Sequence, residues 1–131
     1  MFRASRVVLS ALRPLKASTN ITGLAVHPDP LPALTSIYTS TLSSLSQLPA
    51  ASVYRQATEA LTKYRLAIVE KAQGDVEKVE SELGSIVEIV IEEAKSEEGL
   101  VVKMKDWKSW EGLMEEPHPG QWRYFEPLSD E

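Results

Sequence analysis

The fold class is decided by residues 30–49, which read PLPALTSIYTSTLSSLSQLP. Apolar side chains recur in this stretch at steps of three and four residues: Leu31, Leu34, Ile37, Tyr38, Leu42, Leu45 and Leu48. This spacing predicts the buried face of an amphipathic helix, because one helical turn contains about 3.6 residues. Asp29 and Pro30 suit the N-cap and the first helical position, and Pro49 ends the helix.

Further helices are predicted downstream. Ser52 is a second N-cap, and the apolar residues that follow predict the buried face of a helix ending at Gly74: Val53, Ala57, Leu61, Tyr64 and Ile68. Asp75 caps a short helix that Gly84 ends. The sequence from Ser85 to Glu88 has the form of a capping box and predicts a long last helix. We expect that helix to run through Gly99 and to end near Gly112.

No strand pattern is present, so the sequence predicts an all-α fold: an antiparallel bundle of three main helices with a short extra helix and an extended C-terminal tail. We divide the chain into a basic N-terminal segment (1–20), the helical bundle (21–114) and a tail containing proline and tryptophan (115–131). The residues expected to form the structural core are Leu34, Tyr38, Leu42, Leu61, Val90, Met104 and Trp107.

Charge is distributed unevenly along the 131 residues. The net charge is −5, yet the four basic residues Arg3, Arg6, Arg13 and Lys16 all precede the first acidic one, Asp29. The segment MFRASRVVLSALRPLKAS combines arginines, serines and short apolar runs, a composition typical of a mitochondrial targeting sequence. A basic surface arm is the alternative.

Residues for catalysis or cofactor binding are missing from the sequence. The chain has no cysteine, and its two histidines, His27 and His118, lie far apart in the sequence, so a zinc site is not expected. No nucleotide-binding glycine loop and no nucleophile motif is present. We therefore expect a protein without catalytic residues, cofactor, metal or small-molecule substrate. The acidic excess argues against nucleic acid as a partner, and no apolar run is long enough to span a membrane.

Tryptophan is concentrated near the C-terminus, where Trp107, Trp110 and Trp122 fall close together. A large aromatic side chain on a tail has few intramolecular sites in which to be buried, and tryptophan is a frequent anchor of protein interfaces. We expect the residues that dock a partner to be Trp110, Glu115, Glu116, Pro117, Gln121 and Trp122.

Two stretches of the sequence match a known family. The first contains Tyr54-Arg55, Thr58-Glu59, Arg65-Leu66-Ala67 and Asp75-Val76, and the second contains Lys103-Met104, Trp107-Lys108, Trp110-Glu111, Leu113, Glu115-Glu116-Pro117 and Gln121-Trp122. In these residues the chain resembles the alpha-subcomplex subunit 5 family of mitochondrial NADH:ubiquinone oxidoreductase, respiratory complex I. The resemblance covers about 100 residues.

This resemblance implies a non-catalytic accessory subunit of the respiratory chain, without cofactor. It implies a location in the mitochondrion, on the matrix side of the inner-membrane complex, peripheral to the membrane and not spanning it. The implied partners are core and accessory subunits of the peripheral arm of complex I.

Two other functions are compatible with the residues alone. One is a free helical adaptor of the mitochondrial matrix. The other is a divalent-cation-binding helical protein, because Glu93 and Glu97 lie four residues apart on one helical face.

Overall fold

The computed structural model describes residues 16–125, in which four helices and no strand are present. Helix α1 spans Pro30–Leu45, α2 spans Val53–Ala72, α3 spans Val76–Leu83 and α4 spans Val87–Trp107. The all-α prediction, with three long helices and one short one, is confirmed.

Local sequence signals set most of the helix boundaries. The Ser52 hydroxyl accepts a hydrogen bond from the Arg55 amide at 3.4 Å, and Asp75 caps α3 through the Lys78 amide at 3.4 Å. Gly84 ends α3 in the left-handed conformation, with φ of 69°, which glycine adopts without steric penalty. Asp29 is the N-cap residue of α1, but its side chain makes no capping bond.

The start of α4 differs from the prediction. Ile86 is the N-cap residue, and the expected capping box between Ser85 and Glu88 is wrong. The Val87 amide donates instead to Oε1 of Glu80, 3.0 Å away in α3. The Glu88 carboxylate does not cap the helix and can pair elsewhere. Glu88 is only 3% exposed. Glu80 of α3 therefore satisfies an amide at the start of α4, in place of the predicted capping box of Ser85 and Glu88.

The end of α4 also differs, because the helix stops at Trp107 and not near Gly112. Lys108 follows as the C-cap residue in the left-handed conformation, with φ of 50°. Gly99 lies inside the continuous helix. Residues 111–125 contain turns and no helix; one of these turns is closed by a bond from the Arg123 amide to the Gly120 carbonyl.

Side-chain contacts show how the long helices run. The pairs Ser40–Glu98 and Gln47–Lys105 join α1 and the turn after it to α4 in ascending order, so α1 and α4 are parallel. The pairs Tyr54–Glu97 and Arg65–Glu93 join α2 to α4 in opposite order, so α2 is antiparallel to both. Consecutive long helices therefore alternate in direction.

The core consists of two apolar clusters separated by a polar layer. The larger cluster contains residues of all four helices: Leu31, Leu34, Tyr38, Val69, Ala72, Val79, Val87, Val90, Ile91 and Ala94. The smaller one contains Leu45, Leu48 and Val101, with Leu42, Tyr54, Met104 and Trp110 packed against it. Three buried threonines, Thr41, Thr58 and Thr62, lie in the stretches of α1 and α2 between the two clusters.

The predicted buried face of α2 is largely wrong. Val53, Leu61 and Tyr64 are 78%, 51% and 62% exposed, and the buried residues of the helix are Thr58, Thr62, Ile68, Val69 and Ala72. The C-terminal end of α2 fixes its rotation, because Val69 and Ala72 pack in the larger cluster. A rigid helix oriented in this way carries the stripe that contains Leu61 and Tyr64 to the outside. Leu61 therefore does not belong to the core.

Trp107 does not belong to the core either, since it is 63% exposed. The left-handed Lys108 turns the chain so that Trp110, and not Trp107, packs against the smaller cluster. Of the other residues expected in the core, Leu34, Tyr38 and Val90 are buried, and Leu42 and Met104 are half-buried.

Candidate docking surfaces

The residues expected to dock a partner lie in two environments. Trp110 is half-buried against the smaller cluster, at one end of the bundle. The other five lie exposed in the segment after α4: Glu115, Glu116, Pro117, Gln121 and Trp122. Trp122 is 83% exposed. The structure therefore gives Trp110 a packing contact within the bundle and leaves the other five side chains accessible.

Large apolar side chains accompany Trp122 in this segment. The tail surface, as we call it, consists of Leu113, Met114, Trp122, Tyr124 and Phe125, all of them at least 79% exposed. The rings of Tyr124 and Phe125 meet edge to face, with centroids 5.6 Å apart. Such a concentration of exposed apolar side chains is typical of an interaction site.

A second apolar surface follows the length of α2. The α2 outer face consists of residues that are all exposed and recur at helical spacing: Val53, Ala57, Ala60, Leu61, Tyr64 and Ala67. Three of the six are alanines, which allow a neighbouring helix to approach closely. The helical period of Val53, Ala57, Leu61 and Tyr64 reveals part of this stripe in the sequence, where it predicts a buried face. Periodicity reveals an apolar face without revealing whether the chain itself covers it.

The α2 outer face borders a cleft of about 740 Å³ between α2 and α4. Tyr38 and Thr41 of α1 belong to its lining, together with Leu61 and Arg65 of α2. The Tyr38 hydroxyl is buried and has no hydrogen-bond partner among residues 16–125. Burial raises the pKa of Tyr38, and the positive charge of Arg65 opposes this rise only in part.

Paired polar groups connect α2 with α4 across this cleft. Arg65 forms an ion pair with Glu93 at 3.1 Å, and the Tyr54 hydroxyl donates to Glu97. Burial, together with the hydrogen bond to Glu97, raises the pKa of Tyr54, so its hydroxyl is protonated at neutral pH. Both glutamates considered for a cation site thus have partners on α2. Nowhere between residues 16 and 125 do three histidine, cysteine or acidic residues come together as metal ligands would.

Among the helices of residues 16–125, none is both long enough and apolar enough to cross a bilayer. The α2 outer face, which borders the cleft, and the tail surface both expose apolar side chains.

Comparison with known proteins identifies the family. A family profile described as "ETC complex I subunit conserved region" matches residues 23–88. The mouse protein NADH dehydrogenase [ubiquinone] 1 alpha subcomplex subunit 5 is 45% identical over 111 residues, which cover 84% of this chain and 95% of the mouse protein. The chain belongs to the alpha subcomplex subunit 5 family of complex I. The resemblance found in the sequence is thereby confirmed.

Two fungal proteins are also similar to this chain. The Candida albicans NADH dehydrogenase [ubiquinone] 1 alpha subcomplex subunit MCI4 is 43% identical over 109 residues, which cover 82% of this chain and 78% of that protein. The Neurospora crassa NADH-ubiquinone oxidoreductase 29.9 kDa subunit, mitochondrial, is 36% identical, and the match covers 88% of this chain and 51% of the longer relative. The matches to the two fungal proteins and the mouse protein cover 82–88% of this chain.

Proposed function

We propose that this protein is a non-catalytic accessory subunit of mitochondrial complex I that docks on the matrix-exposed peripheral arm and stabilises it. Membership of the complex I subunit 5 family supports the assignment to the complex and to the inner membrane. The observation that carries the docking role is the pair of exposed apolar surfaces, one on α2 and one on the tail.

The α2 outer face has the properties of a helix-docking surface. Its exposed residues extend over about four turns of the helix, and its alanines leave shallow spaces between the larger side chains of Val53, Leu61 and Tyr64. Burying such a stripe against another subunit releases apolar surface from water, which is the main favourable term in subunit association. A contact of this kind needs no reacting group.

The tail surface offers a different kind of contact. Pro117 and Pro119 restrict the backbone of the segment, so less conformational entropy is lost when it docks than for a glycine-rich segment. Trp122 supplies the largest exposed side chain and an indole N–H that can donate to a partner. We propose that the tail surface extends the contact that α2 begins.

Substitution on α2 tests the proposal. Leu61→Asp places a charge in the centre of the α2 outer face, whereas Val102→Asp makes the same kind of change at an exposed position of α4, where Val102 is 57% exposed. Mitochondria carrying each variant would be solubilised in mild detergent and separated by native electrophoresis. The measurement is the fraction of the subunit that migrates with assembled complex I.

We expect Leu61→Asp to release the subunit and Val102→Asp to leave it bound. A buried anchor typically contributes about 2 kcal/mol or more to binding, which corresponds to a roughly 30-fold loss of affinity. Equal retention of both variants would contradict the assignment of α2 as the docking helix. Migration of the wild-type protein as a small free species would favour the adaptor function and contradict the proposal as a whole.

A further inference from the structure

The segment before α1 is tied to the bundle by an ion pair at a buried site. Lys16 lies between two carboxylates: its Nζ is 3.1 Å from Glu88 and also pairs with Glu80. Glu88 is only 3% exposed, in the first turn of α4. A carboxylate at such a site is costly unless it has a positively charged or hydrogen-bonding partner.

The other groups around Glu88 do not replace the ammonium. The backbone groups of Glu88 and His27 help to lower the pKa of the Glu88 carboxyl, but they carry no net charge. The neighbouring acidic residue Glu80 adds a second negative charge, and it also accepts the Val87 amide that opens α4. Lys16 is the one cation paired with either carboxylate within residues 16–125. Removal of Lys16 would therefore leave two glutamates facing each other at the junction of α3 and α4.

Thr19 stabilises the local structure of the same segment. Thr19 is 8% exposed, and its hydroxyl donates to the Leu24 carbonyl at 2.6 Å. The Ile21 amide donates in turn to Oγ1 of Thr19 at 3.3 Å. These bonds close a turn at residues 19–24, and residues 21–24 line the cleft beside the α2 outer face. Residues 16–24 are thus part of the folded unit.

We propose that the mature protein retains Lys16, so that any targeting segment removed on import ends at or before Leu15. The predicted targeting segment 1–20 is thereby shortened to residues upstream of Lys16, which still include Arg3, Arg6 and Arg13. This composition remains that of a targeting sequence. The proposal concerns where the folded chain begins and does not depend on which surface docks.

N-terminal sequencing of the mature protein tests the boundary. The full chain with a C-terminal affinity tag would be expressed in mitochondria, purified under denaturing conditions, and sequenced from its N-terminus. We expect a first residue at position 16 or earlier, and a chain that keeps Met1 satisfies the proposal equally. A first residue after Lys16 would overturn it. Because the preparation does not require association with complex I, the result is independent of the docking proposal.

Substitutions in the full chain test whether the ion pair of Lys16 stabilises the folded protein. Lys16→Met removes the ammonium, and Lys71→Met serves as the matched control, because Lys71 is 79% exposed and lies 3.9 Å from Glu82. We expect Lys16→Met to lower Tm by roughly 5 °C and Lys71→Met by about 1 °C or less. Adding Glu88→Gln to Lys16→Met should restore part of the loss. Equal Tm values for the two lysine variants would overturn the assignment of Lys16 to the folded unit.

Discussion

Tyr38 permits a sharp test of how a buried hydroxyl affects the stability of the larger apolar cluster. The residue is 3% exposed, and its hydroxyl has no hydrogen-bond partner in the described chain. A buried hydroxyl without a partner costs about 1–3 kcal/mol in desolvation. The Arg65 guanidinium offsets part of this cost, since its charge partly opposes the upward shift that burial gives the pKa of Tyr38. Tyr38→Phe removes the hydroxyl and keeps the ring, so we expect a gain in unfolding free energy of about 1 kcal/mol.

Thermal unfolding followed by circular dichroism measures this change. For a chain of 131 residues, about 1 kcal/mol corresponds to a rise in Tm of roughly 3–5 °C. Tyr64→Phe is the matched control, because Tyr64 is 62% exposed and its hydroxyl is available to water. The control should leave Tm within about 1 °C. A fall in Tm for Tyr38→Phe would refute the reasoning, since it would show that the hydroxyl makes a stabilising bond.

Three further predictions concern helix α4 and the turn before it. Gly99→Ala should stabilise the protein by about 0.5–1 kcal/mol, because Gly99 lies within a continuous helix and an added Cβ meets no atom within 4 Å. Gly84→Ala should destabilise the protein by about 1 kcal/mol, because Gly84 has φ of 69° and alanine is strained in that conformation. Denaturant unfolding measures the change in unfolding free energy for both glycine variants. A change of the same sign in both would contradict the backbone argument. Burial alone would raise the pKa of Glu88, but nearby backbone groups and Lys16 lower that pKa overall. The contribution of Glu88 to stability is therefore complete above its ordinary pKa of 4.5, and it is lost as the pH falls through the lowered value. As the pH is lowered, the unfolding free energy of Glu88→Gln should therefore fall less steeply than that of the unchanged protein. Identical slopes would show that Glu88 has the same pKa in the folded and unfolded states.

The two apolar surfaces give the exposed aromatic side chains of this chain a role in contacts with other subunits, a role that needs no catalytic residue. The clusters of the bundle already bury the apolar face of α1 and most of that of α4. The α2 outer face and the tail surface remain outside these clusters. In a complex of many subunits, such surfaces are available for contacts between chains, which is the role we propose.

Helix existence and most boundaries were determined by the sequence itself. Ser52, Asp75 and Gly84 act on the backbone groups of their own turn, so their effect can be inferred without knowledge of the rest of the molecule. The buried face of α1 was also predictable, since α1 packs against both α2 and α4 and its whole apolar stripe finds partners. The family could also be identified from the sequence, through other residues such as those between Lys103 and Trp122.

Tertiary structure decided the rest. Which face of α2 is covered depends on the position of α1 and α3, and their contacts with Val69 and Ala72 leave Leu61 and Tyr64 outside. The partner of Glu88 is Lys16, 72 residues away, and no local pattern could select it over the capping box. Periodicity and capping describe what a segment can bury or bond, whereas the neighbours that the fold brings to it determine which of these possibilities is realised.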